Sequence, residues 1–319
     1  MRLGIDLGGT AIKAGLVDEE GRILSSKTVR TPVSEGPDAI LAAIAALCRS
    51  LTEKASVPSV GIGAPGRIDS ENGVFVNAAN LPMRNYPMAK RLSEQLNVPV
   101  FLENDANCAL YGEIFAGAGR RWETFLLVTV GTGVGGGIRM SGGIYLGVDG
   151  RAGEFGHMTI DRNGRPCPCG RSGCWEQYAS ATALCRLTRE AAEANPESLL
   201  AARIRSEGGK VDGKTVFAAA RSGCPTAERV LNTYCAFLAE GINNLTVLLR
   251  PEAIVLAGGI FREGEFLLSR IRPLVKEPDR LTVSTLNGYA GLIGASLLSE
   301  RRVPESPVSR LLRPLPIHP

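Results

Sequence analysis

A chain of 319 residues with 44% hydrophobic and 21% charged residues is long and apolar enough for two domains with proper cores. A formal net charge of +4, evenly spread, is too small to argue for nucleic acid or an anionic membrane as partner. No apolar run approaches the ~20 residues that span a bilayer, and Met1-Arg2 passes straight into a strand-like segment with no signal peptide, so a cytoplasmic protein is expected.

The first segment, Leu3-Gly4-Ile5-Asp6-Leu7, runs into Gly8-Gly9-Thr10. Beyond it Ile12, Ala14 and Leu16 alternate with Lys13, Gly15 and Val17, until Asp18-Glu19-Glu20-Gly21 closes a turn. Alternation predicts a strand, so the glycine turn joins two strands, unlike a Walker or Rossmann loop that opens a helix. Small residues at such a tip let backbone N–H groups approach a phosphate; the same spacing also makes a plain hairpin turn. Asp6, beside the tip, is placed to hold Mg²⁺ through water. Pro37 to Ala55 predicts a helix with Ile40, Leu41, Ile44, Cys48 and Leu51 on one stripe. Val60 to Ala64 and Val74 to Val76 predict strands, with Pro65-Gly66 and Ala78-Ala79-Asn80-Leu81-Pro82 as loops at their ends.

An apolar run, Val98 to Leu102, leads into Glu103-Asn104-Asp105-Ala106-Asn107, and a helical pattern follows from near Ala106 with Ala109, Leu110, Glu113 and Ile114. This layout puts Asn104 and Asp105 at the carboxyl end of a strand, where open α/β sheets place their ligands. A carboxylate there can accept a proton from a bound hydroxyl; either residue can equally cap the helix. Phe125 to Val130 then enters Gly131-Thr132-Gly133-Val134-Gly135-Gly136-Gly137. Ile138-Arg139-Met140, a Ser141-Gly142-Gly143 turn and Ile144-Tyr145-Leu146 follow. This repeats the layout of the N-terminal hairpin and predicts duplicated α/β domains, whose two tips are expected to grip a polyphosphate across a cleft. The constellation fits phosphoryl transfer, where catalysis is mostly positioning and charge neutralisation.

Cys167-Pro168-Cys169-Gly170-Arg171-Ser172-Gly173-Cys174 is a tight knuckle that lets three thiolates converge on one ion. A structural Zn²⁺ needs a fourth ligand. Of the 2 histidines, His318 lies in a Pro-rich tail and His157 ten residues before the knuckle, so His157, Cys167, Cys169 and Cys174 form the expected zinc set. Free thiols, or one disulfide with a spare, are the alternatives. Glu154 and Glu176 flank the knuckle, and a metal clip there would fix two carboxylates that can each accept two sugar hydroxyls. Cys48, Cys108, Cys185, Cys224 and Cys235 read as small core residues. Further on, Thr182 to Ala194, Ser198 to Ser206 and Thr226 to Leu249 predict helices. Ala253 to Ala257 predicts a buried strand, ending in Gly258-Gly259 where a flat adenine can approach backbone, with a helix from about Glu263. Tyr289 to Leu298 is the last helix, and the tail from Val303, rich in proline, is expected to be irregular. The expected division is a small α/β domain over 1–108, with a helix at about 289–302 packing back on it. A large α/β domain with the knuckle covers 109–288, and the tail 303–319.

Taken in order, six motifs carry a resemblance: Asp6-Leu7-Gly8-Gly9-Thr10 with Lys13, Gly63-Ala64-Pro65-Gly66, Glu103 to Asn107, Gly131 to Gly137, Glu154-Phe155-Gly156-His157, and Cys167 to Cys174 with Glu176. From Met1 to about Leu298 the chain resembles the ROK family of the actin-like ATPase superfamily, above all its bacterial glucokinases. The resemblance implies two actin-like (ribonuclease H-like) α/β domains flanking an active-site cleft. It implies ATP-dependent phosphorylation of a hexose at its 6-hydroxyl, glucose to glucose 6-phosphate in the first instance, with Asp105 as general base. Gly66, Asn80, Asn104, Glu154, His157 and Glu176 would meet the sugar, His157 serving with one ring nitrogen on zinc and the other toward a hydroxyl. Asp6, Gly8, Gly9, Thr10 and Lys13, with Gly131, Thr132 and Gly133, would hold the phosphates of ATP and its Mg²⁺; Gly258 and Gly259 would lie by the adenosine. Family members are commonly homodimers or homotetramers. Rival readings are a kinase for N-acetylmannosamine or another N-acyl-hexosamine, allose or fructose; a sugar-responsive repressor, which needs a helix-turn-helix where only five residues precede Asp6; and an actin-like structural ATPase, which has no use for metal-held carboxylates.

Overall fold

The computed structural model describes residues 1–300 other than Lys54, Ala79, Gly142 and Asp149. The chain runs through β1 (Arg2–Leu7), β2 (Ala11–Val17), β3 (Ile23–Arg30), α1 (Pro37–Thr52), β4 (Val60–Ala64), β5 (Arg67–Asp69), β6 (Val74–Asn77), β7 (Arg84–Tyr86), α2 (Met88–Leu96), β8 (Val100–Asn104) and α3 (Asp105–Phe115). It continues with β9 (Phe125–Val130), β10 (Val134–Met140), β11 (Gly143–Ile144), α4 (Glu176–Ala179), α5 (Ala181–Ala194), α6 (Leu199–Ser206), α7 (Thr215–Arg221), α8 (Pro225–Leu249), β12 (Ala253–Ala257), α9 (Glu265–Ile271), β13 (Leu281–Val283) and α10 (Ala290–Ser296). One five-stranded sheet has the order β3-β2-β1-β4-β8 and the other β11-β10-β9-β12-β13; β5, β6 and β7 form a third, antiparallel sheet. In each large sheet a hairpin and its third strand lie on one side and the later strands on the other. The duplication expected from the two glycine hairpins is therefore present in the strand order. No helix among the described residues is long and apolar enough to cross a membrane.

Two compact units result. One holds Met1–Phe125, Gly137–Ala152 and the described chain from Ser284 on; the other holds Leu126–Gly136 and Gly153–Val283. A division between residues 108 and 109 would cut α3 in the middle of its hydrogen-bonded turns, and the whole helix goes with the first unit. The segment from Ser284 also belongs there, whereas the predicted end of the last helix at 302 and the tail over 303–319 lie outside the described residues.

In the first unit β1 and β4 run parallel, as do β4 and β8, with Asp6, Gly63 and Glu103 level across the three strands. Leu3, Ile5 and Leu7 face a core shared with Ile40, Leu41, Ile44 and Cys48 of α1 and Leu92 of α2, all buried. On the opposite face of the sheet Gly4 and Gly61 leave backbone bare, so that α10 can lie close on it. A Cβ at Gly4 would come within 2.0 Å of Leu292 O, and one at Gly61 within 1.7 Å of Ala295 O. The helices α3 and α10 meet through the same device, Gly112 against Ala290 O and Gly294 against Cys108 O. Gly61→Ala therefore has no side chain to displace, only helix backbone. It should cost about 3 kcal/mol by overpacking and lower the melting temperature by about 6–12 °C, read by scanning calorimetry; an unchanged transition would show that α10 is free to lift.

In the second unit the 25-residue α8 is the spine, burying Leu231, Tyr234, Leu238, Ile242 and Leu245 along one stripe. Fully buried Trp175 lies over Gly241, where a Cβ would meet its ring at 2.0 Å, and donates its indole N–H to Phe237 O at 2.7 Å. Tyr234 donates to Ala179 O at 2.7 Å. These contacts bolt α4, and so Glu176 at its start, to the spine. Elsewhere the structure trims the expectations. Helix α1 stops at Thr52 rather than Ala55; the third strand of the second hairpin is only Gly143–Ile144, although Tyr145 N still donates to Ile138 O at 2.9 Å. A 3-10 turn over Gly259–Glu263 delays α9 to Glu265, because the chain leaves Gly258 and Gly264 at φ +117° and +58°, outside helical geometry.

Candidate active site

The turn after β1 is tied back on itself: Gly8 N donates to Ala11 O at 2.9 Å and Thr31 Oγ1 to Gly8 O at 2.7 Å. Thr10 is exposed and Gly8 and Gly9 half-buried, so the tip presents backbone. Gly9 abuts the Asn80 loop, where a Cβ on the glycine would lie 3.2 Å from Asn80 O. Asp6 is level with Lys13 across the hairpin, with Nζ 3.7 Å from Oδ2, and Lys13 also donates to Gly288 O at 3.4 Å. Burial pushes the Asp6 carboxyl above its ordinary range while Lys13 pulls it down. A half-buried carboxylate with a loose cationic partner is a group that a further cation would relieve, which is the fit expected of a residue serving Mg²⁺.

The turn after β8 resolves which residue caps. Asn104 is the N-cap of α3: its Oδ1 accepts from Ala106 N at 2.9 Å and Asn107 N at 3.2 Å. Its amide nitrogen is left pointing to Gly66 O at 3.5 Å, so toward a ligand Asn104 can only donate. Asp105 is the first helical residue, half-buried, with Oδ1 near Ala106 N. Gly66 itself sits at φ +104° with Asn77 O 2.5 Å from its Cβ position, a place only glycine fits. Two residues of the same motif were given no role of their own from sequence: Glu103 and Asn107, both buried and hydrogen-bonded to one another at 3.1 Å. A glutamate at an inward position of a strand was the available signal.

In the second unit the Gly131-Thr132-Gly133 turn is anchored to the start of α5, where Ala181 N donates to Gly131 O at 2.9 Å and Thr182 Oγ1 to Thr132 O at 2.8 Å. The turn after β12 lies against the end of β9, since a Cβ at Gly258 would fall 2.0 Å from Val130 O. Gly131 and Gly259 face open space, so both turns offer bare backbone to an approaching group.

The knuckle assembles as spacing predicted. The donor atoms of His157, Cys167, Cys169 and Cys174 all lie within 4.8 Å of one another. His157 Nδ1 is 3.6 Å from Cys167 Sγ, and Cys169 Sγ is 3.5 Å from Cys174 Sγ. Ligands about 2.3 Å from a common zinc at tetrahedral angles sit about 3.8 Å apart, so this donor set fits that ion. The N–H of Arg171 holds the Cys169 thiol down at about 6, whereas burial pushes Cys167 up to about 12. One thiolate is thus ready at neutral pH, and the other gives up its proton to a metal. Glu176 is shared. Its Oε1 lies 3.3 Å from Cys167 Sγ and 3.8 Å from His157 Nδ1, while Oε2 is 2.8 Å from the Cβ position of Gly133. The other His157 nitrogen, Nε2, faces Glu154 at 3.9 Å. Within this unit, then, the cluster, both carboxylates and the glycine turn adjoin.

The profile of the ROK family matches residues 2–302. A glucokinase of Streptomyces coelicolor is 36% identical over 316 residues, covering 95% of this chain and 99% of that one. A glucokinase of Halalkalibacterium halodurans is 37% identical over 314 residues, covering 94% and 95%. Among solved structures, a ROK family glucokinase from Streptomyces griseus in complex with glucose and AMPPNP superposes with a TM-score of 0.84 at 37% identity, covering 94% of this chain and 99% of that one.

Proposed function

The chain belongs to the ROK family, and from that premise we propose that it is an ATP-dependent hexose kinase, transferring the γ-phosphoryl group to the 6-hydroxyl of glucose. The observation that carries the mechanism is the division of labour after β8. Asn104 supplies the cap of α3, and the carboxylate that follows it, on the first helical residue Asp105, is assigned to the chemistry. Asp105 accepts the 6-hydroxyl proton as that oxygen attacks the γ-phosphorus and the bond to the leaving ADP oxygen breaks. Asn104 donates its amide hydrogens to a sugar oxygen, with Gly66 and Asn80 beside it. In the second unit Glu154 and Glu176 accept sugar hydroxyls, and His157 Nε2 meets another.

The N–H groups around Gly8 to Thr10 and Gly131 to Gly133 take up the charge developing on the phosphoryl oxygens. Lys13 neutralises phosphate from beside Asp6, and Gly258 and Gly259 leave room for the adenosine. Mg²⁺ travelling with the nucleotide would be held through water by Asp6 and would lower the charge of the polyphosphate. Zn²⁺ would be held by His157, Cys167, Cys169 and Cys174 and would act as a structural clip. The family also carries the expectation of a homodimer or homotetramer in the cytoplasm, the former read by light scattering.

A coupled ADP-release assay on glucose, mannose, fructose, allose, N-acetylglucosamine and N-acetylmannosamine tests the substrate. Glucose should have the highest kcat/KM, by at least about tenfold over the N-acyl-hexosamines, the worth of roughly one well-placed hydrogen bond. An N-acyl-hexosamine at the top of the ranking would replace glucose in this reading; ATP turnover indifferent to every sugar would remove the kinase.

A further inference from the structure

We propose that the buried pair Glu103–Asn107 is the device that sets Asn104 and Asp105 for catalysis, which makes both of them positioning residues; the inference rests on the reading of Asp105 as the base. Glu103 is 4% exposed and Asn107 3%. A single carboxylate oxygen, Glu103 Oε1, accepts the backbone N–H of Asn104 at 2.8 Å and the side-chain amide of Asn107 at 3.1 Å. The same Asn107 amide donates to Gly150 O at 3.4 Å.

Burying a carboxylate is costly, and nothing in the helix start requires it. The cap is already supplied by Asn104 Oδ1. What the pair adds is restraint. Glu103 grips the peptide N–H that opens the Asn104-Asp105 step, and through Asn107 it grips the first turn of the helix that carries Asp105. The strand end and helix start thereby become one rigid piece, with Asp105 Cα only 3.7 Å from the Cβ position of Gly63 beneath it. The second hydrogen bond of Asn107 extends the restraint to Gly150, four residues ahead of Glu154 in the chain. A catalytic group must be held to about 0.5 Å, and a slip of about 1 Å costs on the order of a hundredfold in rate.

The test uses the full-length, metal-containing protein with glucose and ATP. Asn107→Asp turns the donor into a second carboxylate facing Glu103, and kcat should fall about a hundredfold while KM for ATP stays within about threefold. Combining it with Glu103→Gln removes one of the two facing charges and leaves the amide oxygen at position 103 to accept from Asn104 N, so kcat should rise at least about tenfold over Asn107→Asp alone. Where circular dichroism shows Asn107→Asp to be unfolded, Asn107→Ala takes its place. It should stay folded and lose about tenfold or more in kcat, again at constant KM for ATP. A merely structural role would lower the melting temperature and leave kcat per folded molecule alone. The proposal fails if the folded single variant keeps kcat within about threefold of wild type, or if the exchange is no faster than Asn107→Asp. Wild-type protein inert toward every sugar would instead sink the kinase reading itself, and this inference with it.

Discussion

Asp105→Asn should fold as the wild type does, bind glucose, and phosphorylate it about 10²–10⁴-fold more slowly in kcat. The substitution is isosteric and leaves the helix start intact, because the cap belongs to Asn104, whose Oδ1 accepts from Ala106 N and Asn107 N. What it removes is the ability to take a proton. The 6-hydroxyl oxygen must then attack while still protonated, or lose its proton to water, and the barrier rises by roughly 3–5 kcal/mol, the equivalent of that rate loss. Steady-state kinetics by coupled ADP release, glucose titration by calorimetry and a thermal melt separate the possibilities. A kcat near wild type would mean that another group takes the proton. A fall in kcat matched by loss of glucose binding would mean that Asp105 holds the sugar rather than activating it. The contrast is Asn104→Ala, which removes a cap worth about 1 kcal/mol as well as the sugar donor proposed above, and should therefore lower both the melting temperature and the glucose affinity.

Sequence alone reached the parts of this molecule whose physics is local. Alternation beyond Gly8 to Thr10, and the same strand–turn–strand layout around Gly131 to Gly133, betrayed two hairpins, and the two sheets indeed share one strand order. The knuckle was legible because three thiols within eight residues have little else to do, and their sulfurs do converge with His157. The role of the turn after β8 was ambiguous, since Asn104 and Asp105 both cap helices well; only the bonds made by Oδ1 of Asn104 separate them. Three features stayed hidden because they are set by residues distant in the chain. Burial of Glu103 depends on the bare Gly63 of a neighbouring strand and on α3 above it. The reach of Glu176 Oε2 to Gly133 joins segments more than forty residues apart. The division into units follows strands that leave and return, which no single boundary in sequence can describe.

That reach makes metal removal the other large experiment. The protein as purified should carry one equivalent of zinc by mass spectrometry, and stripping it with a strong chelator should reduce hexose phosphorylation by about 10–100-fold or more, the range seen when support around metal ligands is lost. Without an ion, the thiol of Cys167, pushed up to about 12 by burial, regains its proton at neutral pH, and the loop from His157 to Cys174 loses its common centre. The second unit should nonetheless remain folded, because Trp175, Tyr234 and the stripe of α8 form a core of their own. The damage should fall on Glu154 and Glu176, which are ordered beside the cluster, and so on the glucose KM. Because Glu176 also lies against Gly133, nucleotide affinity should weaken in the same titration even when no sugar is present. Readdition of zinc should restore both affinities, and Cys174→Ser, which removes a fully buried ligand, should reproduce the stripped state without chelator. Full activity at less than about a tenth of an equivalent of metal would show that the thiols and His157 hold their places by packing alone, without the folding energy that a bound ion contributes.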